Sequence, residues 1–348
     1  MFTATADTVD GLLRQVYQQL LSDDGRNRRV ESRKGLSTET FAALLELTNP
    51  RARVSRSIAR SKITSALGEM AWYLSGSDAL SFIKHYIDRY DEFSDDNATL
   101  NGAYGKRIFG VRKRFKVEDK TRIGTDWQRI METLKERPGS RNATIQLFAN
   151  SDARRDSLDI PCTCTLQFIV RSGSVDLEAH MRSNDALLGL PHDVFSFTMF
   201  QEIAARELGY EVGRYFHSVG SLHLYDDTDD LPSRQMAQKY LDEHHFDDVP
   251  MAAMPHGDPW PSIRQFLAVE DALRLGSLDL EIPGSMEPYW RELAVMLKIY
   301  ANSKGSNSAA VIRAHIDELS PAFKTFAIDR LEQALGAEQT AMQYLRGN

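Results

Sequence analysis

The residues most able to do chemistry lie between Asp159 and Asp193. Cys162 follows a proline, and Arg182 comes late in a pattern that predicts two strands joined by a tight turn at 172–173. Pairing of these strands would bring the thiol and the guanidinium close together. Because a fixed cation favours the thiolate form of cysteine, the stretch predicts a cysteine nucleophile.

The second predicted strand has one apolar face and one polar face. This alternation is typical of a strand with one buried side. Its apolar side chains are Val175, Leu177, Ala179 and Met181, and its polar side chains are Asp176, Glu178, His180 and Arg182. The strand leads into Ser183-Asn184-Asp185 and then Leu188-Gly189-Leu190-Pro191-His192-Asp193. Two further acids therefore come close to the cysteine.

The composition is that of an ordinary globular protein and excludes few functions by itself. The 348 residues are 42% hydrophobic and 26% charged, with a formal net charge of −7. This length suits one large domain or two small ones. The acidic balance argues against a nucleic-acid partner, although it is compatible with a local basic pocket for one phosphate. No long apolar run or signal peptide is found, so we expect a cytoplasmic protein without membrane contact.

Cys162 and Cys164 are the two cysteines of the sequence. They occupy alternate positions of a predicted strand and so share a face, but such close neighbours rarely form a disulfide. Free thiols favour a reduced compartment. No further ligands accompany them at a recognisable spacing, so we predict no metal site.

The central stretch resembles thymidylate synthase and the related pyrimidine nucleotide hydroxymethylases. That family has Pro-Cys at its nucleophile, Arg-Ser-x-Asp at its phosphate and folate sites, and Leu-Gly-x-Pro before the residue that recognises the base. The matching residues are Cys162, Arg182, Ser183, Asp185, Gly189 and Asp193. Two positions depart from the synthases: Thr163 replaces a histidine, and Asp193 replaces an asparagine. The resemblance runs from about residue 20 to about residue 245.

Three positions in the first half of the chain also match the family. Glu69 lies in Gly-Glu-Met-Ala-Trp-Tyr-Leu, where the family has a glutamate that handles water and protons at the pyrimidine. A lone glutamate on a helix is usually solvated, whereas a carboxyl group in an apolar pocket has a raised pKa that suits acid–base work. Tyr90 replaces a tryptophan that borders the one-carbon unit in the synthases. Tyr104 matches the tyrosine beside the nucleophile.

The resemblance implies that three arginines face the nucleotide phosphate. Arg33 matches an arginine of a mobile loop, although a basic run such as 26–34 is usually a solvated turn. Arg141 matches an arginine that reaches across a dimer interface, and Asn142 replaces a second arginine there. Together with Arg182 they would bind phosphate through planar guanidinium groups. A homodimer, with Arg141 contributed across the interface, is therefore implied.

The family also supplies expectations for the sugar and the folate. His223 and Tyr225 match the pair that bonds the sugar 3′-hydroxyl, although an isolated histidine is more often structural. The neighbouring Ser221 stands where the family commonly has aspartate. Asp185 is expected to contact the pterin of 5,10-methylenetetrahydrofolate, the co-substrate, and Gly189 to line the same cleft.

Asp193 decides which base we expect. Uracil presents an N3–H donor beside the O4 acceptor, and an asparagine amide can answer both. Cytosine presents N3 as an acceptor beside a 4-amino donor, which suits a carboxyl group that accepts from the amino group and, when protonated, donates to N3. A buried mismatch costs roughly 1–3 kcal/mol, or about tenfold to a hundredfold in preference. Deoxycytidylate hydroxymethylases, which the chain resembles, have aspartate here. Alternatively, Asp193 merely caps the following helix.

The resemblance implies that the Cys162 thiolate adds to C6 of the pyrimidine and that C5 then receives the one-carbon unit. Hydride transfer would complete a methyl group, and water addition would complete a hydroxymethyl group. Tyr90 in place of tryptophan would admit water. Residues 343–348 do not resemble the apolar segment with which synthases cover the folate, which would also admit water. We therefore expect a hydroxymethyltransferase acting on a cytosine nucleotide.

The nucleotide and the class of protein leave alternatives open. Ser183 and Arg141 keep the pattern of the deoxynucleotide enzymes and favour dCMP, and a CMP 5-hydroxymethylase of nucleoside antibiotic pathways is the alternative. A thymidylate synthase or a dUMP hydroxymethylase is opposed by Asp193. A non-catalytic nucleotide- or RNA-binding relative is opposed by the complete set of catalytic residues. That set is Cys162, Glu69, Tyr104, Arg182 and Asp185.

The elements that position these residues are both helices and strands. Periodicity predicts an N-terminal helix from Val9, helices at 57–74, 126–136 and 194–208, and strands at 143–148 and 211–218. Four more helical patterns follow at 263–275, 287–301, 309–318 and 321–335. The resemblance implies a three-layer α/β fold with a large mixed sheet at the dimer interface. We expect a catalytic domain over 1–248 and a helical C-terminal extension, packed on it, over 249–348.

Overall fold

A computed structural model describes residues 1–23, 25–55, 63–154, 156–243, 249–303 and 308–346, with the backbone alone from 337 onward. In this part of the chain, seven strands form one sheet and two more form a small ribbon. The strands are β1 (Phe2–Ala6), β2 (Asn27–Ser32), β3 (Gly35–Leu47), β4 (Lys113–Val117), β5 (Lys120–Gly124), β6 (Thr144–Gln146), β7 (Thr163–Arg171), β8 (Ser174–Asp185) and β9 (Glu211–Tyr225).

The large sheet is mixed. Its strand order is β1-β3-β9-β8-β7-β6, and β2 pairs with β3 at the side of this path. The pairs β1–β3 and β8–β9 are parallel, and the remaining pairs are antiparallel. Together with the helices, this sheet confirms the predicted mixed α/β class.

Ten α-helices are described. They are α1 (Val9–Leu21), α2 (Ile63–Ser75), α3 (Leu80–Lys84), α4 (Asp126–Glu136), α5 (Leu190–Leu208), α6 (Ser233–Asp242), α7 (Trp260–Arg274), α8 (Pro288–Asn302), α9 (Ser308–His315) and α10 (Pro321–Arg346). Helices α1 and α5 pack against the sheet, and α5 is buried along most of its length. The four predicted C-terminal helices are thus confirmed in outline.

The β7–β8 hairpin has the predicted turn and the predicted faces. Ser172 and Gly173 have φ angles of 48° and 80°, the left-handed conformation that a two-residue hairpin turn requires. Leu177 and Ala179 are fully buried, whereas Glu178 and His180 are exposed. Because side chains alternate along a strand, one face of the hairpin enters the core and the other faces outward.

Helix α5 begins earlier than the sequence pattern predicts. We expected it from residue 194, but it starts at Leu190, with Pro191 in its first turn. Proline is well accepted there because the first helical N–H groups have no partner within the helix. Asp193 therefore lies in the first helical turn. The helix ends at Gly209, whose φ of 76° suits a left-handed C-terminal residue.

Other boundaries also differ from the predictions. A strand, β1, precedes the N-terminal helix, and 27–32 is a strand within the run predicted as a loop. β6 is shorter than predicted, while β9 continues to Tyr225. β1, β6 and β9 are stabilised by pairing with strands that are distant in the sequence, and β2 is stabilised by a hairpin with β3. Local periodicity does not reveal such pairing. The part of the predicted helix at 57–62 lies outside the described residues.

The C-terminal helices share the core of the sheet-containing part. Helices α7 and α8 pack against α2. Tyr86 donates a hydrogen bond of 2.8 Å to Glu270 of α7. The buried carboxylate of Glu202 accepts from Arg53 (2.5 Å) and from Tyr289 of α8 (3.4 Å). A division of the chain near residue 248 stays a prediction, and 244–248 are outside the described residues.

Two classes of feature are missing from the described part of the chain. None of its helices combines the length and the apolar character needed to cross a membrane. It also has no group of three or more histidine, cysteine, aspartate or glutamate side chains arranged to hold a metal ion.

Candidate active site

The nucleophile candidate, Cys162, lies immediately before β7, and Arg182 holds the segment that carries it. The Arg182 backbone N–H donates to the Cys162 carbonyl over 2.9 Å. Its guanidinium donates to the carbonyls of Pro161 (2.9 Å) and Ile160 (3.0 Å). The same guanidinium lies 3.9 Å from the Cys162 sulfur. The predicted pairing of thiol and cation is therefore present.

The charge state of this thiol differs from the prediction. Burial raises the pKa of Cys162 above its ordinary value, and the Arg182 charge opposes that rise without cancelling it. A buried thiolate loses hydration, and the Arg182 guanidinium at 3.9 Å does not replace that hydration fully. The free protein therefore holds Cys162 mainly as a thiol at neutral pH, not as the expected thiolate.

Tyr104 lies beside the nucleophile, as expected. Its hydroxyl oxygen accepts a hydrogen bond from the backbone N–H of Thr163 over 3.1 Å. Asp159 joins the two segments, because its carboxylate accepts from Gly102 N over 2.6 Å and its carbonyl accepts from Asn101. A side chain at 102 would meet that carboxylate at 2.6 Å, so the close approach requires glycine. Segments 101–104 and 159–163 are thus tied together around the sulfur.

Glu69 lies on α2 in a pocket of hydrogen-bond donors. Its Oε1 accepts from the hydroxyls of Tyr73 (2.9 Å) and Tyr90 (2.5 Å). Its Oε2 lies 2.9 Å from Nδ1 of His192, on the first turn of α5. Tyr73 belongs to the same helix, whereas Tyr90 and His192 come from other segments. This carboxylate thus joins α2 to the residue next to Asp193.

The pKa of Glu69 moves in the opposite direction to the prediction. Burial alone would raise it, as we expected for a carboxyl group in an apolar pocket. The hydrogen bond and positive charge of His192, with the two tyrosine hydroxyls, outweigh burial and hold the pKa of Glu69 below its ordinary value. Glu69 is therefore an anion at neutral pH.

Asp193 is the second buried acid of the site, and its pKa moves in the opposite direction. Its Oδ2 accepts a hydrogen bond of 2.8 Å from Nδ2 of Asn184. Burial raises the pKa of Asp193 well above its ordinary value, and the negative charge of Glu69 raises it further. Two neighbouring acids thus have pKa values pushed apart, which is typical of acid–base sites.

Asn184 belongs to a chain of buried hydrogen bonds that the sequence did not suggest. Its Oδ1 lies 2.9 Å from Nε2 of His217, and Nδ1 of His217 lies 2.6 Å from the hydroxyl of Tyr215. His217 and Tyr215 are fully buried, and Asn184 is 4% exposed. Gly189 packs on the amide, because a side chain there would meet Nδ2 of Asn184 at 2.9 Å.

Asp185 and Tyr90 are the side chains expected at the folate, and each is oriented by its own contacts. Oδ1 of Asp185 accepts from the backbone N–H groups of Leu187 (2.8 Å) and Leu188 (3.1 Å), which fixes the carboxylate. Tyr90 packs edge-on against Trp72, with ring centroids 5.7 Å apart. An oriented carboxylate can accept from N–H donors, and an aromatic ring can pack against a flat heterocycle, so each side chain is chemically compatible with a pterin.

The basic residues at the β2–β3 turn approach the nucleophile. Arg33 is exposed and donates to the carbonyl of Leu158 over 2.9 Å. Lys34, which the sequence analysis did not single out, lies over the ring of Phe93 with Nζ 3.8 Å from its centroid. Its charge is close to both Asp185 and Cys162. The turn therefore places two cations at this end of the site.

The sugar candidates lie on β9, next to β8. His223 pairs with Asp185 across the two strands, and Ser183 pairs with Ser221. The rings of His223 and Tyr225 meet edge-on with centroids 4.9 Å apart. His223 and Tyr225 therefore lie on β9, which continues beyond its predicted end at Ser218.

Arg141 lies away from this cluster, in the segment before β6. It is exposed, and its carbonyl accepts from the side chain of Gln167 over 2.9 Å. Its guanidinium makes no hydrogen bond or ion pair to any residue described in this chain. A role at the site therefore requires a second subunit.

The structure thus brings most of the predicted residues to one place. These are Cys162, Glu69, Tyr104, Asp193, Arg33, Arg182, Ser183, His223, Tyr225, Tyr90, Asp185 and Gly189. His192 was missed although it directly precedes Asp193, and a titratable residue at that position was the available signal. Asn184, His217 and Lys34 had no comparable signal.

The comparison with known families agrees with this arrangement. The family described as thymidylate synthase matches residues 19–250, about two thirds of the chain. Its members transfer a one-carbon unit from 5,10-methylenetetrahydrofolate to a pyrimidine nucleotide and are typically dimers. The match contains every candidate residue named above, from Arg33 to Tyr225. The chain belongs to the thymidylate synthase family.

Proposed function

We propose that this chain catalyses the folate-dependent 5-hydroxymethylation of a cytosine nucleotide, with dCMP favoured over CMP. The observation that carries this proposal is the burial of Asp193, with its pKa raised well above the ordinary value, at the position to which the resemblance assigns recognition of the base. The match establishes the thymidylate synthase family. The identity of the nucleotide and the final step of the reaction are our inference.

The neutral state of Asp193 answers the donor and acceptor pattern of cytosine. Burial and the charge of Glu69 raise its pKa well above the ordinary value, which favours the neutral carboxyl group, with one O–H donor and one carbonyl acceptor. Cytosine N3 can accept the proton, and the 4-amino group can donate to the carbonyl oxygen. A carboxylate would meet N3 with a lone pair, and that mismatch costs roughly 1–3 kcal/mol when buried.

Cys162 is the proposed nucleophile, which adds to C6 of the base. The thiol must lose its proton to do so, and a cation at 3.9 Å stabilises the thiolate as it forms. Tyr104 is proposed to contribute a hydroxyl beside the sulfur. Arg33 and Arg182 are proposed to bind the phosphate, with Lys34 adding positive charge near the sulfur.

The other proposed contacts follow the pairing of β8 and β9. His223 and Tyr225 would bond the sugar 3′-hydroxyl, and Ser183 lies on the adjacent strand. Asp185 would accept from the pterin, with Tyr90 and Gly189 lining the same cleft. Bound 5,10-methylenetetrahydrofolate supplies a one-carbon unit at the oxidation level of formaldehyde.

Glu69 and His192 are proposed to handle the protons of the reaction. Glu69 is an anion in contact with an imidazole, so it can accept a proton from water. In the final step the oxygen of water forms a bond to the exocyclic methylene carbon on C5, and Glu69 accepts one proton from that water. The π electrons of the exocyclic methylene then form the C5–C6 double bond, and the C6–S bond breaks to release Cys162 as a thiolate. This step needs no hydride donor, because the one-carbon unit keeps its oxidation level.

A dimer is proposed through the outer face of the large sheet. Phe41 and Leu44 of β3 are exposed by 62% and 36% in the single chain, which is high for large apolar side chains on a strand. Glu178 and His180 of β8 share the exposed surface. Burying this face against a second copy would remove the apolar patch from water and let Arg141 reach the partner's phosphate site.

We also propose that residues 1–248 form the catalytic part and that 249–348 form a helical extension packed on it. The family match ends at residue 250, close to this boundary. The hydrogen bonds of Glu202 and Glu270 tie the two parts together.

The proposed reaction is tested by the identity of its product. The protein is incubated with 5,10-methylenetetrahydrofolate and with dCMP, CMP or dUMP, in water enriched in oxygen-18, and each nucleotide is analysed by mass spectrometry. We expect 5-hydroxymethyl-dCMP carrying one labelled oxygen, with less product from CMP and least from dUMP. A 5-methyl product, or a preference for dUMP, would refute the proposal.

A further inference from the structure

The proton on Asp193 can reside on either carboxyl oxygen, and the two oxygens have different hydrogen-bond partners. Oδ2 accepts the Asn184 amide N–H over 2.8 Å. Oδ1 has no hydrogen-bond partner among the described residues. Which oxygen carries the proton therefore depends on how firmly the Asn184 amide is held.

The amide is held by His217 and Tyr215. His217 is fully buried, and burial lowers its pKa to about 3, so it is neutral and carries one ring proton. With that proton on Nε2, the ring donates to Oδ1 of Asn184, and Nδ1 accepts the hydroxyl proton of Tyr215. Every donor then meets an acceptor, so the donor and acceptor roles of Tyr215, His217 and Asn184 are all fixed.

Packing also restrains the amide. Asn184 is 4% exposed, and a side chain at 189 would overlap its Nδ2. Rotation of the amide by half a turn would place its N–H₂ group against the N–H of His217 and its oxygen against Oδ2 of Asp193. Both contacts would lose their hydrogen bonds unless protons moved along the whole chain.

We propose that Asn184 is a specificity-determining positioning residue, which donates to Oδ2 of Asp193 and thereby assigns the carboxyl proton to Oδ1. Asp193 then presents one fixed donor and one fixed acceptor to the base. The proposal deepens the proposed function and rests on it for the identity of the preferred base.

A fixed proton matters because a neutral carboxyl group is otherwise ambivalent. With its proton on one oxygen it matches the acceptor–donor pair of cytosine. With its proton on the other oxygen it matches the donor–acceptor pair of uracil. A carboxyl group free to choose would bind both bases. The neutral carboxyl group of Asp193 allows cytosine to bind. The hydrogen bond from Asn184 keeps the proton off Oδ2 and so prevents the arrangement that would match uracil.

The test uses three variants of the full-length chain. Asn184→Leu removes the donor at similar volume. Tyr215→Phe removes the hydroxyl at the far end of the hydrogen-bond series, which makes no hydrogen bond to Asp193. Without this hydroxyl, the ring proton of His217 is no longer restricted to Nε2. Thr198→Val is the matched control, because Thr198 is buried on the same helix as Asp193 and bonds only to backbone carbonyls of that helix. For each variant, kcat and KM are measured for dCMP and for dUMP.

We expect Asn184→Leu to lower the ratio of kcat/KM for dCMP over dUMP by about tenfold to a hundredfold. Tyr215→Phe should lower the same ratio by a smaller factor, and Thr198→Val should leave it unchanged. An equal loss for both nucleotides in Asn184→Leu would mean a merely structural role and would overturn the proposal.

Two further outcomes are also decisive. If Asn184→Leu does not fold, an unchanged ratio in Tyr215→Phe overturns the proposal and a lowered ratio supports it. If the wild-type chain prefers dUMP, the proposed function fails, yet the role of Asn184 is still judged by whether its replacement moves the ratio.

Discussion

Nδ1 of His192 lies 2.9 Å from Oε2 of Glu69, and this contact reverses the charge state that burial alone would impose on the carboxyl group. Glu69 faces Tyr73 on its own helix, Tyr90 on the 88–93 segment, and His192 on α5, with the carboxyl group of Asp193 nearby. The imidazole is the one basic group of this set. It therefore keeps one acid ionised while its sequence neighbour stays neutral.

Replacement of His192 should move the pH dependence of turnover. His192→Phe removes the hydrogen bond and the charge that oppose the effect of burial on Glu69, so the pKa of Glu69 rises. A base is lost as the pH falls through its pKa, so the acid limb of the kcat profile should move to higher pH. His192→Gln, which still donates a hydrogen bond, should move it less.

Turnover of His192→Phe near neutral pH should fall by about 10²-fold, the lower end of the usual effect of a general base. His256→Gln serves as the control, because the His256 side chain is 72% exposed. An acid limb at the same pH in His192→Phe and in the wild type would show that His192 does not set the charge of Glu69.

Arg182 should control the reactivity of Cys162. Burial raises the pKa of this thiol, and the Arg182 charge partly offsets that rise. Arg182→Gln should therefore raise the pKa further and slow alkylation by iodoacetamide at neutral pH, whereas Arg182→Lys should retain part of the rate. Peptide mass spectrometry shows whether the alkyl group is on Cys162 or on Cys164. Equal alkylation of Cys162 in all three proteins would contradict the proposed role of the cation.

A dimer with shared sites should allow two inactive variants to complement each other. Cys162→Ala lacks the nucleophile, and Arg141→Ala lacks the arginine that we propose to act in the partner's site. In an equal mixture half of the dimers are mixed and each has one intact site, so about a quarter of wild-type activity should return. No recovery after verified subunit exchange would place Arg141 outside the partner's site.

Removal of residues 249–348 should prevent stable folding of the remainder. Glu202 and Arg53 are fully buried as an ion pair, and the C-terminal part completes the set with the Tyr289 hydroxyl and the backbone N–H of Met254. Truncation would expose apolar surface of α2 and weaken this pair. Tyr289→Phe, the milder change, should cost only about 1 kcal/mol in the free energy of unfolding. A soluble fragment 1–248 with cooperative unfolding would contradict this prediction.

The sequence was sufficient to predict the hairpin and most of the site. Strand alternation and the turn at 172–173 bring Cys162 and Arg182 together because strand pairing has a fixed geometry. The family resemblance then supplied Glu69, Tyr104 and Asp193. The structure places Tyr104 and Asp193 near the sulfur and Glu69 near Asp193. These residues lie in motifs that are continuous along the chain, so their types and spacing are visible without coordinates.

The charge states could not be predicted in the same way. Glu69 was expected to have a raised pKa, but His192, 123 positions away, lowers it. Asn184 has the strand parity of the outward-facing Arg182, yet it is buried against Gly189 and bonded to His217. Such effects depend on which polar atoms meet across distant segments, and a single sequence does not carry that information.

The central claim is that a neutral Asp193 selects a cytosine nucleotide for hydroxymethylation. It is tested most directly by competition between equimolar dCMP and dUMP for limiting 5,10-methylenetetrahydrofolate, with the wild type and Asp193→Asn compared by mass spectrometry of the products. We predict 5-hydroxymethyl-dCMP as the main wild-type product, and a shift of about tenfold to a hundredfold toward dUMP in the variant. A wild type that modifies dUMP in preference, with a product ratio unchanged in Asp193→Asn, would contradict the account.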